Sequence, residues 1–220
     1  MADFAKHLPL SMRPTIDESG ANSRWGGHLA ATLRATADVL DTLTPEQWET
    51  QSLCGLWRIR DVAGHLVWRV GSSNRVLVGT ASRAYFGHFV NPNRAIDALS
   101  RAAAEAPVAD LVARIREIAD EKAAGHGRTG VGELTEAVVH GYDIARPLGI
   151  SLPIAPSASG AVAVRGSLLA PTEIKAVLRT RTLVATDAVW RVGHGRELLG
   201  TAETLVPFIY GRGGLPVESR

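Results

Sequence analysis

The stretch VGELTEAVVHGYDIARPLG, residues 131–149, decides the fold. Its apolar Leu134, Val138 and Ile144 recur at helical intervals, and the pattern stops at Pro147-Leu148-Gly149, a helix end. Glu136 and His140 are four residues apart, so both project from one face about one turn apart. They lie at the edge of an apolar stripe, where a carboxylate or an imidazole is costly to desolvate unless it is paired or holds a metal. Pairs at this spacing are also common on helix surfaces. Glu133 and Asp143 flank the same face, and either could replace Glu136 as a ligand or orient His140 from outside.

Working upstream, LWRIRDVAGHLVWRVGSSNRVLVG, residues 56–79, predicts a long helix with Ile59, Val62, Leu66 and Val70 apolar. His65 stands within that apolar face and is a candidate third ligand, since helical bundles build metal sites from facing helices. Two histidines and one carboxylate leave coordination positions open, as catalytic sites do. WGGHLAATLRATADVLDTL, 25–43, predicts another helix, and TPEQW after it a helical turn with Thr44 as N-cap. A third long helix is expected over 92–123, with a possible break at Pro107. GHGRTG, 125–130, is a connector rather than a phosphate loop, because no strand precedes it and the lysine is missing. Four helices with short connections describe an antiparallel four-helix bundle.

After Gly149 the texture changes. SLPIAP is a linker, 155–170 is weakly helical, RTLVATDAVWRVGHG (181–195) alternates like a strand or hairpin, and TAETLVPFIYGR (201–212) closes with a helix capped by Thr201 or Thr204. The chain thus reads as α+β, with domains at 1–149 and 150–220.

Composition fits a typical globular domain. The 220 residues are 45% hydrophobic and 21% charged, and 24 basic against 22 acidic residues are spread along the chain, so neither disorder nor nucleic-acid binding is suggested. Cys54 is the single cysteine, which excludes a disulfide within the chain and a multi-thiolate metal site. Met1–Pro14 has no apolar leader core and no stretch is long enough to span a bilayer, so a cytoplasmic protein without membrane partners is expected. Cys54 reads as a small hydrophobe, with a ligand or redox role left open. Trp25, Trp48, Trp57 and Trp68 read as core, His28, His88, His126 and His194 as lacking partners at ligand spacing, and His194 as a turn residue.

The stretches 52–68 (SLCGLWRIRDVAGHLVW) and 133–149 (ELTEAVVHGYDIARPLG) resemble the mycothiol-dependent maleylpyruvate isomerase family, a branch of the DinB-like metalloenzyme superfamily. TDAVWRVGHG and LVPFIYGR resemble that family's C-terminal domain more loosely. The resemblance implies a DinB-like four-helix bundle and a small C-terminal α/β domain of sterol-carrier-like type. It implies a zinc or other divalent ion on His65, Glu136 and His140, with mycothiol, the small thiol of actinobacteria, as cosubstrate. It also matches Arg212 to a basic position, so Arg212 is expected to fork onto a substrate carboxylate; a solvated surface arginine is the simpler reading. The implied reaction is reversible thiol addition to maleylpyruvate, by a monomer or homodimer. A mycothiol S-transferase and a non-catalytic metal- or ligand-binding bundle are the alternatives.

Overall fold

In the computed structural model, which describes residues 25–73, 75–77, 79 and 92–214, the expected amphipathic segments are helical. Met1–Pro14 and His88 lie outside the described residues. Helix α1 (Trp25–Asp41) buries Leu29, Leu33, Ala37 and Leu40. The short α2 (Pro45–Trp48) starts with a capping box: Thr44 Oγ1 accepts from the Gln47 N–H at 3.3 Å, and Gln47 Oε1 accepts from the Thr44 N–H at 2.9 Å. Helix α3 spans Ile59–Gly71, shorter than the 56–79 expected. Extended Ser72 ends it, at a Gly-Ser-Ser run whose side chains offer little to a helix, and residues 75–77 and 79 are helical again.

The expected third helix is two, α4 (Pro92–Ala104) and α5 (Val108–Ala123). Pro107 adopts ψ 141° and has no N–H to continue the ladder. Helix α6 (Val131–Ala145) runs into a 3-10 turn, Arg146–Leu148, that ends at Gly149 with φ +66°. Helix α1 packs on α5 and α6, while α3 packs on α4, α5 and α6. The approach of α3 to α4 depends on Gly64, because a Cβ there would lie 2.5 Å from the Ser100 carbonyl oxygen.

Helices α7 (Pro156–Leu169) and α8 (Thr172–Leu178) precede a three-stranded sheet; α8 was not anticipated. Its order is β2-β1-β3, with β1 (Arg181–Ala185) antiparallel to β2 (Arg191–Gly193) and parallel to β3 (Arg196–Gly200). To pass from one side of β1 to the other the chain wraps closely round its start. Gly195, at φ +101°, has no room for a Cβ, which would meet the Thr180 carbonyl oxygen at 2.4 Å. The exposed turn at His194 is as expected, whereas β3 extends the sheet beyond the hairpin.

The closing helix α9 (Ala202–Ile209) has Thr201 at its N-cap, but Asp187 Oδ1 accepts the Ala202 N–H at 2.7 Å and the Thr201 hydroxyl pairs with Thr204. Helix α9 packs on α7 and α6. One cluster of buried apolar residues runs from Leu29 in α1 to Ile209 in α9. The architecture is α+β, helix-rich with a small sheet near the C-terminus. No described helix is long and apolar enough to cross a membrane.

Candidate metal centre

Helix α3 supplies His65, and α6 supplies Glu136 and His140. The Nε2 atoms of His65 and His140 each lie 3.4 Å from the same oxygen, Glu136 Oε2. One ligand atom from each of the three falls within 4.8 Å of the others. Both histidines are buried, and Glu136 retains 26% of its side-chain exposure, which leaves the trio reachable from one side. The Trp57 ring sits 4.8 Å from His65 and 6.1 Å from His140, and Trp68 lies 6.0 Å from His65. Both were expected in the core; Trp57 packs half-buried against it, both wall the histidines, and Trp57 is anchored by donating to Asp97 at 2.6 Å.

The outer nitrogens are already committed. Ser100 donates its hydroxyl to the Ile96 carbonyl at 2.6 Å, so its oxygen accepts from His65 Nδ1 at 3.0 Å. A neutral His65 then carries its lone pair on Nε2, turned toward a carboxylate oxygen. Two acceptors facing each other at 3.4 Å suit a shared cation. His140 Nδ1 donates to Asp143 Oδ2 at 2.9 Å, which likewise turns Nε2 inward. Two imidazoles and a carboxylate with fixed outer partners are a fitting donor set for zinc.

Burial lowers the pKa of His65 to about 4. His140 is also desolvated, but hydrogen bonds to Asp143 and Glu136 outweigh this and raise it to about 9. Glu136 stays well below the usual carboxylate range: burial opposes ionisation, and the hydrogen bond from protonated His140, with the neighbouring imidazoles, overcomes it.

Of the rival carboxylates, Asp143 orients His140, whereas Glu133 turns away and pairs with Arg128 at 2.9 Å. Arg212 is no surface arginine. Its Nε is 2.8 Å from both Asp143 oxygens, Nη1 donates to the Tyr210 carbonyl at 3.0 Å, and Nη2 reaches Cys54 Sγ at 3.4 Å. The C-terminal segment thereby touches the carboxylate behind His140. Cys54, His140 and Asp143 form a second close group, already supplied with a cation by Arg212. Burial pushes the Cys54 thiol up more than Arg212 draws it down.

His28 pairs with Ser157, and His126 and His194 are exposed, all apart from the trio. Sequence reasoning missed Ser100 and Arg69. Ser100 is 35 residues from His65 and gave no signal. Arg69 did: it is four residues after His65 on α3, and its Nε lies 3.4 Å from Glu136 Oε1.

Comparison with known proteins gives one match. The family described as mycothiol maleylpyruvate isomerase N-terminal domain matches residues 29–145, more than half of the chain and all three of the convergent residues. No curated protein and no solved structure gives a significant match. The chain belongs to the mycothiol maleylpyruvate isomerase N-terminal domain family.

Proposed function

We propose that this protein holds one divalent ion, zinc in the first instance, on His65, Glu136 and His140, and uses mycothiol to isomerise the activated double bond of maleylpyruvate-like substrates. The observation that carries the reading is the convergence of two imidazole Nε2 atoms on one carboxylate oxygen, with both Nδ1 atoms held by fixed partners. An ion bound there would supply a positive centre that favours the thiolate form of a neighbouring thiol.

The chain's own residues do the rest. Ser100 and Asp143 fix the two rings, and Trp57 and Trp68 keep water from one side of them. Arg212 holds Asp143 and keeps spare N–H groups for a substrate carboxylate. In the reaction the thiol adds across the double bond, the resulting single bond rotates, and loss of the thiol restores the double bond in the trans form. The thiol is regenerated and no electrons are transferred overall. In this reading α1, α3, α5 and α6 are a DinB-like antiparallel four-helix bundle within a metal-binding domain, 1–149. Residues 150–220 form a sterol-carrier-like domain, and the protein works in the cytoplasm as a monomer or homodimer.

Turnover of maleylpyruvate by the zinc-loaded protein with mycothiol tests this. Isomerisation should need both zinc and thiol and fall more than about 100-fold in His140→Ala, beyond the 10–100-fold typical of outer partners. No isomerisation by the loaded parent would sink the assignment; thioether products with other electrophiles would replace it with an S-transferase.

A further inference from the structure

Arg69 follows His65 by one turn of α3, and its contacts are long. Nε is 3.4 Å from Glu136 Oε1 and Nη1 is 3.9 Å from Glu133 Oε1. Among the described residues its guanidinium donates no hydrogen bond, and the buried Nη1 has no acceptor. Trp68 Nε1 and Arg128 Nε are likewise buried without an acceptor among the described residues. Arg128 belongs to the same patch: its Nη2 donates to the Arg69 carbonyl oxygen, and its Nη1 takes Glu133 at 2.9 Å. Arg69 Nη1 and Arg128 Nε are thus two donor nitrogens without acceptors in one patch, joined to the trio through the Arg69–Glu136 contact, and each costs folding free energy unless an oxygen meets it.

Charge points the same way. Among the described residues the carboxylates touching these two guanidiniums are Glu133, shared by both, and Glu136. In the reading above Glu136 is committed to the ion, so Glu133 is left to balance two cations. Arg69 keeps 28% and Arg128 17% of their side-chain exposure, so the patch is open in part.

We propose that Arg69 and Arg128 form a subsite for a carboxylate of the substrate, beside the ion-binding trio. The inference rests on the metal-centre reading and deepens it: the substrate is an organic anion whose carboxylate docks on Arg69, which brings the adjoining carbons next to His65 and Glu136. A guanidinium with free N–H groups suits a planar carboxylate, which accepts two parallel hydrogen bonds.

Calorimetric titration of the zinc-loaded protein with maleate, and with neutral dimethyl maleate, tests it. Zinc content and circular dichroism are recorded for every variant. Arg69→Gln should weaken maleate binding at least tenfold and Arg69→Lys should recover part of it, while the ester is indifferent to both. Glu133 contacts none of the three ligands, and Glu133→Gln should tighten maleate several-fold, an effect that a merely structural role would not produce. In turnover, Arg69→Gln should raise KM far more than it lowers kcat. Equal maleate affinity in the parent and Glu133→Gln, equal affinity of the parent for maleate and its ester, or no maleate binding overturns the subsite. If Arg69→Gln loses zinc, Glu133→Gln decides. A subsite that responds as expected without isomerisation refutes the isomerase reading alone; isomerisation with an unresponsive subsite refutes this inference alone.

Discussion

His65 and His140 meet the same carboxylate oxygen yet titrate in opposite directions. Burial carries His65 to about 4, whereas Asp143 and Glu136 lift His140 to about 9 despite its burial. Without metal at pH 7, His65 is therefore neutral and His140 protonated. Because the folded value for His140 lies above its ordinary 6.5, its contribution to stability is complete below 6.5 and is lost as pH rises through about 9. An ion needs the Nε2 lone pair, so zinc must displace that proton. Zinc binding at pH 7 should release about one proton, and affinity should climb about tenfold per pH unit up to about 9. Calorimetry in buffers of different ionisation enthalpy reads both; a flat pH profile without proton release contradicts the assignment. Asp143→Asn removes no ligand but loosens His140, and should weaken zinc binding 10–100-fold in a competition titration. Spacing exposed Glu136 and His140 and left Glu133 and Asp143 as rivals. Only the fold shows that one reaches Nδ1 and the other an arginine, because that choice depends on Arg212, 69 residues beyond Asp143, and on how the loop before α6 turns Arg128 back onto Glu133.

Helix α3 approaches α4 so closely that Gly64 has no room for a methyl group: an added Cβ would meet the Ser100 carbonyl oxygen at 2.5 Å and the Ala104 nitrogen at 2.6 Å, both backbone atoms. Gly64→Ala must therefore part the helices. It should cost about 1–3 kcal/mol in urea denaturation and weaken zinc binding, since Ser100 moves away from His65. An unchanged denaturation midpoint would contradict the packing. Helices were legible wherever an apolar period of three and four persisted, and the stop at Pro107 was legible because proline removes a donor. Strand β3, RELLG, was not: it is short, begins with two charged residues and lies at an edge, so alternation is weak. Its parallel pairing depends on the tight passage through Gly195, which local pattern does not report.

At the scale of the molecule, the C-terminal segment contributes to the centre through the Arg212–Asp143 contact, while one apolar cluster joins α1 to α9. Arg212→Ala would leave the fully buried Asp143 with His140 as its one charged partner among the described residues. It should lower stability by roughly 3 kcal/mol, and Arg212→Lys by less. If Arg212→Ala lost activity but kept full stability, the tie would be refuted and a substrate role favoured. The family resemblance reached this arginine by position, but its partner could be seen only once the end of the chain was folded against α6. Zinc at 100 times its Kd adds about 2.7 kcal/mol of stability, or roughly 5–11 °C in Tm for a chain of this size. The most direct test of the central claim is the zinc bound per chain, measured by elemental analysis of the folded parent beside His65→Ala, Glu136→Gln and His140→Ala. One ion is expected in the parent and little or none in the three variants, with the Tm rise lost alongside it; variants that bind as much zinc as the parent would rule out His65, Glu136 and His140 as the ligands.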